Sequence, residues 1–94
     1  MTEELVTLET AKLLKEKGMF IDIEFPPQSV AQKWIRETKN LHVEISYMYE
    51  NYWLYDILTI PAHDLIGLSD RPIVRYNTYE EALEAGLQEA LKLI

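Results

Sequence analysis

The chain has 94 residues, 48% hydrophobic and 11% aromatic, with a formal net charge of −7 and no cysteine. That length supports a single domain spanning 1–94, and the composition excludes a disordered chain. The missing cysteines exclude disulfides and thiolate zinc sites, while the acidic balance disfavours non-specific attraction to nucleic acid or to an anionic membrane.

No apolar run approaches the ~20 residues needed to span a bilayer. Glu3 and Glu4 stand where a signal peptide would carry Lys or Arg. The expectation is an unexported, cytoplasmic chain starting at its own Met1.

The first predicted element is a helix with Thr7 as N-cap and Val6 packed against Ala11 across the cap. Leu8, Ala11 and Leu14 share a face, leaving Lys12, Lys15, Glu16 and Lys17 to solvent. Gly18 follows a lysine-rich last turn, where a helix stops by turning left-handed. Phe20 to Phe25 alternates at period two and reads as a short strand, ended by Pro26 and Pro27.

Ser29 and Gln32 form a capping box that opens a second helix. Val30, Ala31, Trp34, Ile35 and Thr38 make its apolar arc, with Lys33, Arg36 and Lys39 opposite. Asn40 suits a left-handed C-cap. Leu41 to Tyr49 then reads as a strand with Leu41, Val43, Ile45, Tyr47 and Tyr49 on one face. His42, Glu44, Ser46 and Met48 fall on the other.

Trp53 to Ile60 is a second strand, apolar on both faces apart from Asp56 and Thr59, which argues for a central position. Glu50 and Asn51, with or without Tyr52, make the hairpin turn. Two-residue and three-residue loops are both compatible with the sequence. They differ in which side chains of the second strand share a face with Ile45.

Pro61 to Pro72 reads as a loop and Ile73 to Tyr76 as a short third strand. Thr78 and Glu81 form a capping box that opens a helix running to Ile94. Its stripe is Tyr79, Ala82, Leu83, Gly86, Leu87, Ala90, Leu91 and Ile94. Glu80, Glu81, Glu84, Gln88, Glu89 and Lys92 form its solvated face. A glycine inside an apolar stripe costs about 1 kcal/mol relative to alanine, so Gly86 predicts a close approach to a bulky neighbour on the sheet.

The fold class is therefore α+β. Two N-terminal helices precede an antiparallel sheet of about three strands and a C-terminal amphipathic helix packed on it.

Catalytic signatures are absent. Gly18, Gly67 and Gly86 stand apart, so no loop can cradle phosphate through clustered backbone amides. Gly67-Leu68-Ser69 lacks the second glycine of a nucleophile elbow and reads as a turn. His42 and His63, the latter beside Asp64, lack metal-ligand spacing and read as solvated or locally bonded. No cofactor, metal or small-molecule ligand is expected, and the chain is read as a non-enzyme.

Two features remain. Tyr47, Tyr49, Tyr52, Trp53 and Tyr55 crowd one hairpin, some to serve as core and the remainder as a protein interface, for which Tyr47, Tyr49, Tyr52 and Trp53 are the candidates; a nucleic-acid stacking platform would need cations that residues 41–60 lack. Lys33, Arg36 and Lys39 form the basic arc of the second helix, an order of elements superficially like a winged helix-turn-helix. The spacing between the first two helices exceeds the turn of three or four residues that motif uses.

Three blocks in order carry a resemblance. These are Leu5-Val6-Thr7-Leu8-Glu9-Thr10-Ala11-Lys12-Leu13-Leu14-Lys15-Glu16-Lys17-Gly18, then Gln28-Ser29-Val30-Ala31-Gln32-Lys33-Trp34-Ile35-Arg36-Glu37, and Tyr79-Glu80-Glu81-Ala82-Leu83 through Ala90-Leu91-Lys92-Leu93-Ile94. Together they resemble a family of small uncharacterised proteins from gut bacteria of the Bacteroides group and their phages and mobile elements. The resemblance implies a compact accessory protein in a phage or mobile-element setting and carries no functional residues with it. The leading expectation is an interaction protein that associates with itself or another protein through the hairpin. The alternatives are a DNA-binding accessory factor using the basic arc and an acidic decoy of a nucleic-acid-binding protein.

Overall fold

A computed structural model describes residues 4–19, 25–62, 64–66 and 75–94. Within them lie helices α1 (Leu8–Glu16) and α2 (Gln28–Lys39), strands β1 (Leu41–Met48) and β2 (Tyr52–Thr59), and helix α3 (Tyr79–Lys92). The strands form an antiparallel hairpin, α2 and α3 pack on one of its faces, and α1 packs on α3. The predicted α+β class and the C-terminal helix on the sheet are both seen.

The helix ends follow local chemistry in most places. Thr7 Oγ1 caps α1 by accepting from the Thr10 amide, and Gly18 takes φ +106° beyond its last turn. Asn40 closes α2 in the left-handed region at φ 58° and ψ 37°. Thr78 caps α3 by accepting from the Glu81 amide at 3.1 Å.

The start of α2 departs from expectation. Its N-cap is Pro27 rather than Ser29, and no side chain caps it. The reason is tertiary. The Gln28 amide donates to the Glu4 carbonyl and the Val6 amide to the Pro26 carbonyl, so two residues before the first helix bridge directly to the turn before the second. That pairing starts α2 one residue before Ser29 and frees Gln32 Nε2 to donate to the Val43 carbonyl at 2.6 Å. Val30, assigned to the apolar arc, is exposed, and Gln28 is buried in its place.

The hairpin loop has three residues, Tyr49, Glu50 and Asn51, because Met48 pairs with Tyr52. Strand β1 thus ends at Met48, one residue short of the predicted Tyr49. Glu50 and Asn51 both take positive φ, at 80° and 64°. The register sets Ile45 opposite Tyr55 and Val43 opposite Ile57, and all four turn toward the helices.

Among the described residues the sheet has two strands rather than about three. Most of the predicted third strand, Ile73 to Tyr76, lies outside the described residues, as does the predicted strand at Phe20 to Phe25 apart from Phe25. Tyr76 nevertheless exchanges both backbone hydrogen bonds with Trp53, at 2.8 and 3.0 Å. Near its other end β2 is met by Asp64 and Ile66, through Thr59 N to Asp64 O and Ile66 N to Ile57 O. The apolar strand β2 therefore has hydrogen-bonded neighbours on both edges, the central position expected of it.

Val43, Ile57, Leu14, Ile35, Leu87 and Leu91 fill the core between hairpin and helices. The predicted close approach is real. A Cβ at position 86 would sit 2.6 Å from Val43 Cγ1 and 3.1 Å from Tyr55 Cγ. Alanine would gain about 1 kcal/mol of helix propensity but overpack a site worth about 1–3 kcal/mol, because Val43 is β-branched and fully enclosed. Gly86→Ala should therefore lower stability by about 1–2 kcal/mol in urea unfolding. An unchanged or raised midpoint would show that α3 rides more loosely on the sheet.

Candidate functional site

One polar cluster joins the three helices at a partly open site. Glu84 projects from the middle of α3 toward the N-terminal ends of α1 and α2. Its Oε2 accepts from the Thr7 amide at 3.0 Å, from Thr7 Oγ1 at 2.8 Å and from Thr10 Oγ1, while Oε1 accepts from Gln28 Nε2 at 3.0 Å. Gln28 also donates to the Glu80 carbonyl at 2.9 Å. One carboxylate thus ties three helices together and adds negative charge at the α1 N-terminus, where the helix dipole favours it.

Glu84 therefore does not belong to the solvated face on which the sequence pattern placed it. Burial pushes its carboxyl pKa up, but the hydrogen bonds from Gln28, Thr10 and Thr7 outweigh burial and hold it below its ordinary value of 4.5. A proton donor in acid–base catalysis needs the opposite shift, so this carboxylate acts as a structural acceptor. Lys17, also expected in solvent, is half-buried and donates to the Ile94 carbonyl at 2.6 Å.

The surface expected to carry function is divided by the sheet. Tyr47 and Trp53 form a cross-strand pair on the helix-covered face, ring centroids 4.7 Å apart. Tyr79, in the first turn of α3, meets Trp53 edge-on at 5.6 Å. Tyr47 is 57% exposed, Tyr79 is 39% exposed, and Tyr49 in the turn is 92% exposed. The Tyr47 hydroxyl donates to Asn51 Oδ1 at 2.6 Å, which fixes the exposed ring against the turn.

Tyr52 stands apart from this group. It pairs with Met48 on the opposite face, under the Arg75 guanidinium at 4.5 Å. Arg75 also reaches Glu50 at 3.6 Å. The aromatic surface is thus Tyr47, Tyr49, Trp53 and Tyr79. Tyr79 was legible only as one end of an apolar stripe, because nothing in its local sequence announces the Trp53 ring beside it.

The basic arc keeps its place on α2. Lys33 is exposed, Arg36 is half-buried, and Lys39 Nζ lies 5.7 Å from the Trp34 ring centroid. His42 is half-buried on the outer face of β1, and its Nδ1 is enclosed without a hydrogen-bond partner. His63 and Gly67-Leu68-Ser69 lie outside the described residues. Among the described residues, no group of three acidic or histidine side chains could hold a metal ion, and no helix is long and apolar enough to cross a membrane.

Comparison with protein-family models, with curated proteins and with solved structures returns no match. The geometry of the surface is therefore the basis on which a function can be read.

The Glu84 latch makes stability depend on acid. Its folded pKa is depressed, so its contribution is fully present above pH 4.5 and is lost as pH falls below that value through the folded pKa. Glu84→Gln should cost about 1–2 kcal/mol at neutral pH, allowing for the half of the carboxylate that stays in solvent. It should also flatten the fall in stability below pH 4.5. Urea unfolding at stepped pH checks both, and parallel curves for the two proteins would refute the assignment.

Proposed function

We propose that this protein is a non-enzymatic interaction module whose contact surface is the aromatic end of the hairpin, in the phage or mobile-element setting that the sequence resemblance implies. The observation that carries the reading is Tyr49, which keeps 92% of its surface in solvent at the apex of a turn, beside the packed rings of Tyr47, Trp53 and Tyr79. Exposed tyrosines anchored by packed neighbours lose little conformational entropy on binding, which is why such residues dominate interface energetics. Duplex DNA is the weaker reading, since three cations on a chain of net charge −7 would displace few counterions.

Oxidative footprinting of tyrosine in lysate of cells that make the protein, against the purified chain at high dilution, tests this. Tyr49 and Tyr47 should be protected in the lysate. Equal labelling of both in the two samples would overturn the reading.

A further inference from the structure

Strand β2 has hydrogen-bonded neighbours on both edges and β1 on one. The Trp53 amide and carbonyl turn away from β1 to meet Tyr76, and the Ile57 carbonyl and Thr59 amide turn away to meet Ile66 and Asp64. Backbone direction alternates along an antiparallel ladder. The even-numbered residues of the hairpin therefore bond β1 to β2, and the odd-numbered residues of β1 face its open edge. Gln32 confirms this by donating to the Val43 carbonyl on that edge.

Beyond Val43, no described residue bonds the outward amides and carbonyls of Ile45 and Tyr47. Folded proteins usually blunt such an edge with proline, lysine or a bulge, and Ile45-Ser46-Tyr47 carries none of these.

Resting on the hairpin reading above, we propose that this edge is completed by a second copy of the chain. The two β1 strands pair antiparallel about a two-fold axis at Ser46, with Ile45 of each copy opposite Tyr47 of the other. Register selects this arrangement, because only odd residues present free groups. An axis at Ile45 would call on the Val43 carbonyl, which Gln32 already occupies. One at Glu44 would set two exposed carboxylates against each other. An axis at Tyr47 would call on Tyr49, which has left the strand for the turn.

Charge points to the same occupant. Gln32 places one flank of α2 over the Val43 end of the edge, and Arg36, one helical turn on, shares that flank with Lys33 beside it. In the proposed register the hairpin tip of each copy passes that end of the other. It brings the exposed Tyr49 ring against the same helix, where Lys33 and Arg36 can lie over its face, while Glu50 stays with Arg75 on the other side of the sheet. The aromatic tip and the basic helix flank thus complement each other across the two-fold axis.

The chain contains no cysteine, so single engineered thiols report the register directly. In sedimentation equilibrium at about 0.15 M salt, where net-charge repulsion is screened over ~8 Å, the whole chain should approach twice its 11.0 kDa mass as concentration rises. Ser46→Cys should oxidise to a covalent dimer about tenfold faster than Glu44→Cys or Met48→Cys, because only position 46 meets itself at disulfide range. Tyr47→Pro removes an outward amide that β2 does not use and should weaken the dimer about tenfold.

A monomer at every concentration, or equal rates for the three thiols, would overturn strand pairing. If Tyr49 is nonetheless protected in lysate, the interaction reading stands and only its partner is wrong. If Tyr49 is unprotected as well, both fail.

Discussion

At position 86 the backbone of α3 comes so near Val43 and Tyr55 that a side chain of any size would displace them. A helix seated that closely cannot slide along the hairpin or rotate on it without a clash. With Gly86 fixed, Glu84 half a turn earlier is delivered to Thr7, Thr10 and Gln28, and Tyr79 two turns earlier is delivered to the face of Trp53. The latch among the helices and the aromatic end of the hairpin are both consequences of one close contact.

The latch organises the first half of the chain. Glu84 takes up donors at the start of α1, and Gln28 ties the first turn of α2 to the same carboxylate. Short helices such as the nine-residue α1 are marginal in isolation, so the cross-helix carboxylate and the apolar face supplied by α3 are what hold it. The backbone bridge between Leu5 and Pro27 joins the same two helix starts from below. The three helices thereby form one layer on one face of the hairpin, and on that face the turn end stays uncovered among the described residues.

The proposed contact surface lies at that uncovered end. The helices bury Val43, Ile57 and much of Ile45 and Tyr55, but α3 begins at Tyr79 and reaches no further along the hairpin than Trp53. Tyr47 and Tyr49 extend beyond it into solvent, next to the β1 edge that no described residue pairs. In the proposed function, a surface of rings beside an open strand edge would combine two modes of association, side-chain anchoring and backbone pairing.

The sequence by itself determined the elements whose signals are local. Thr7, Thr78 and Asn40 mark helix ends through their own side chains or backbone preference, and the apolar stripe of α3 follows from its 3.6-residue period. Gly86 was legible too, because a glycine where alanine would serve better implies a neighbour. What only the tertiary structure decided depends on groups distant in the chain. Pro27 replaced Ser29 as the start of α2 because Glu4 and Val6 claimed the backbone there. Glu84 is drawn half out of solvent because four donors at the starts of the two other helices converge on it, which no periodicity can register. The three-residue hairpin loop was settled by which side chains of β2 could meet Ile45 and Val43 under α3, a choice that Glu50 and Asn51 alone leave open.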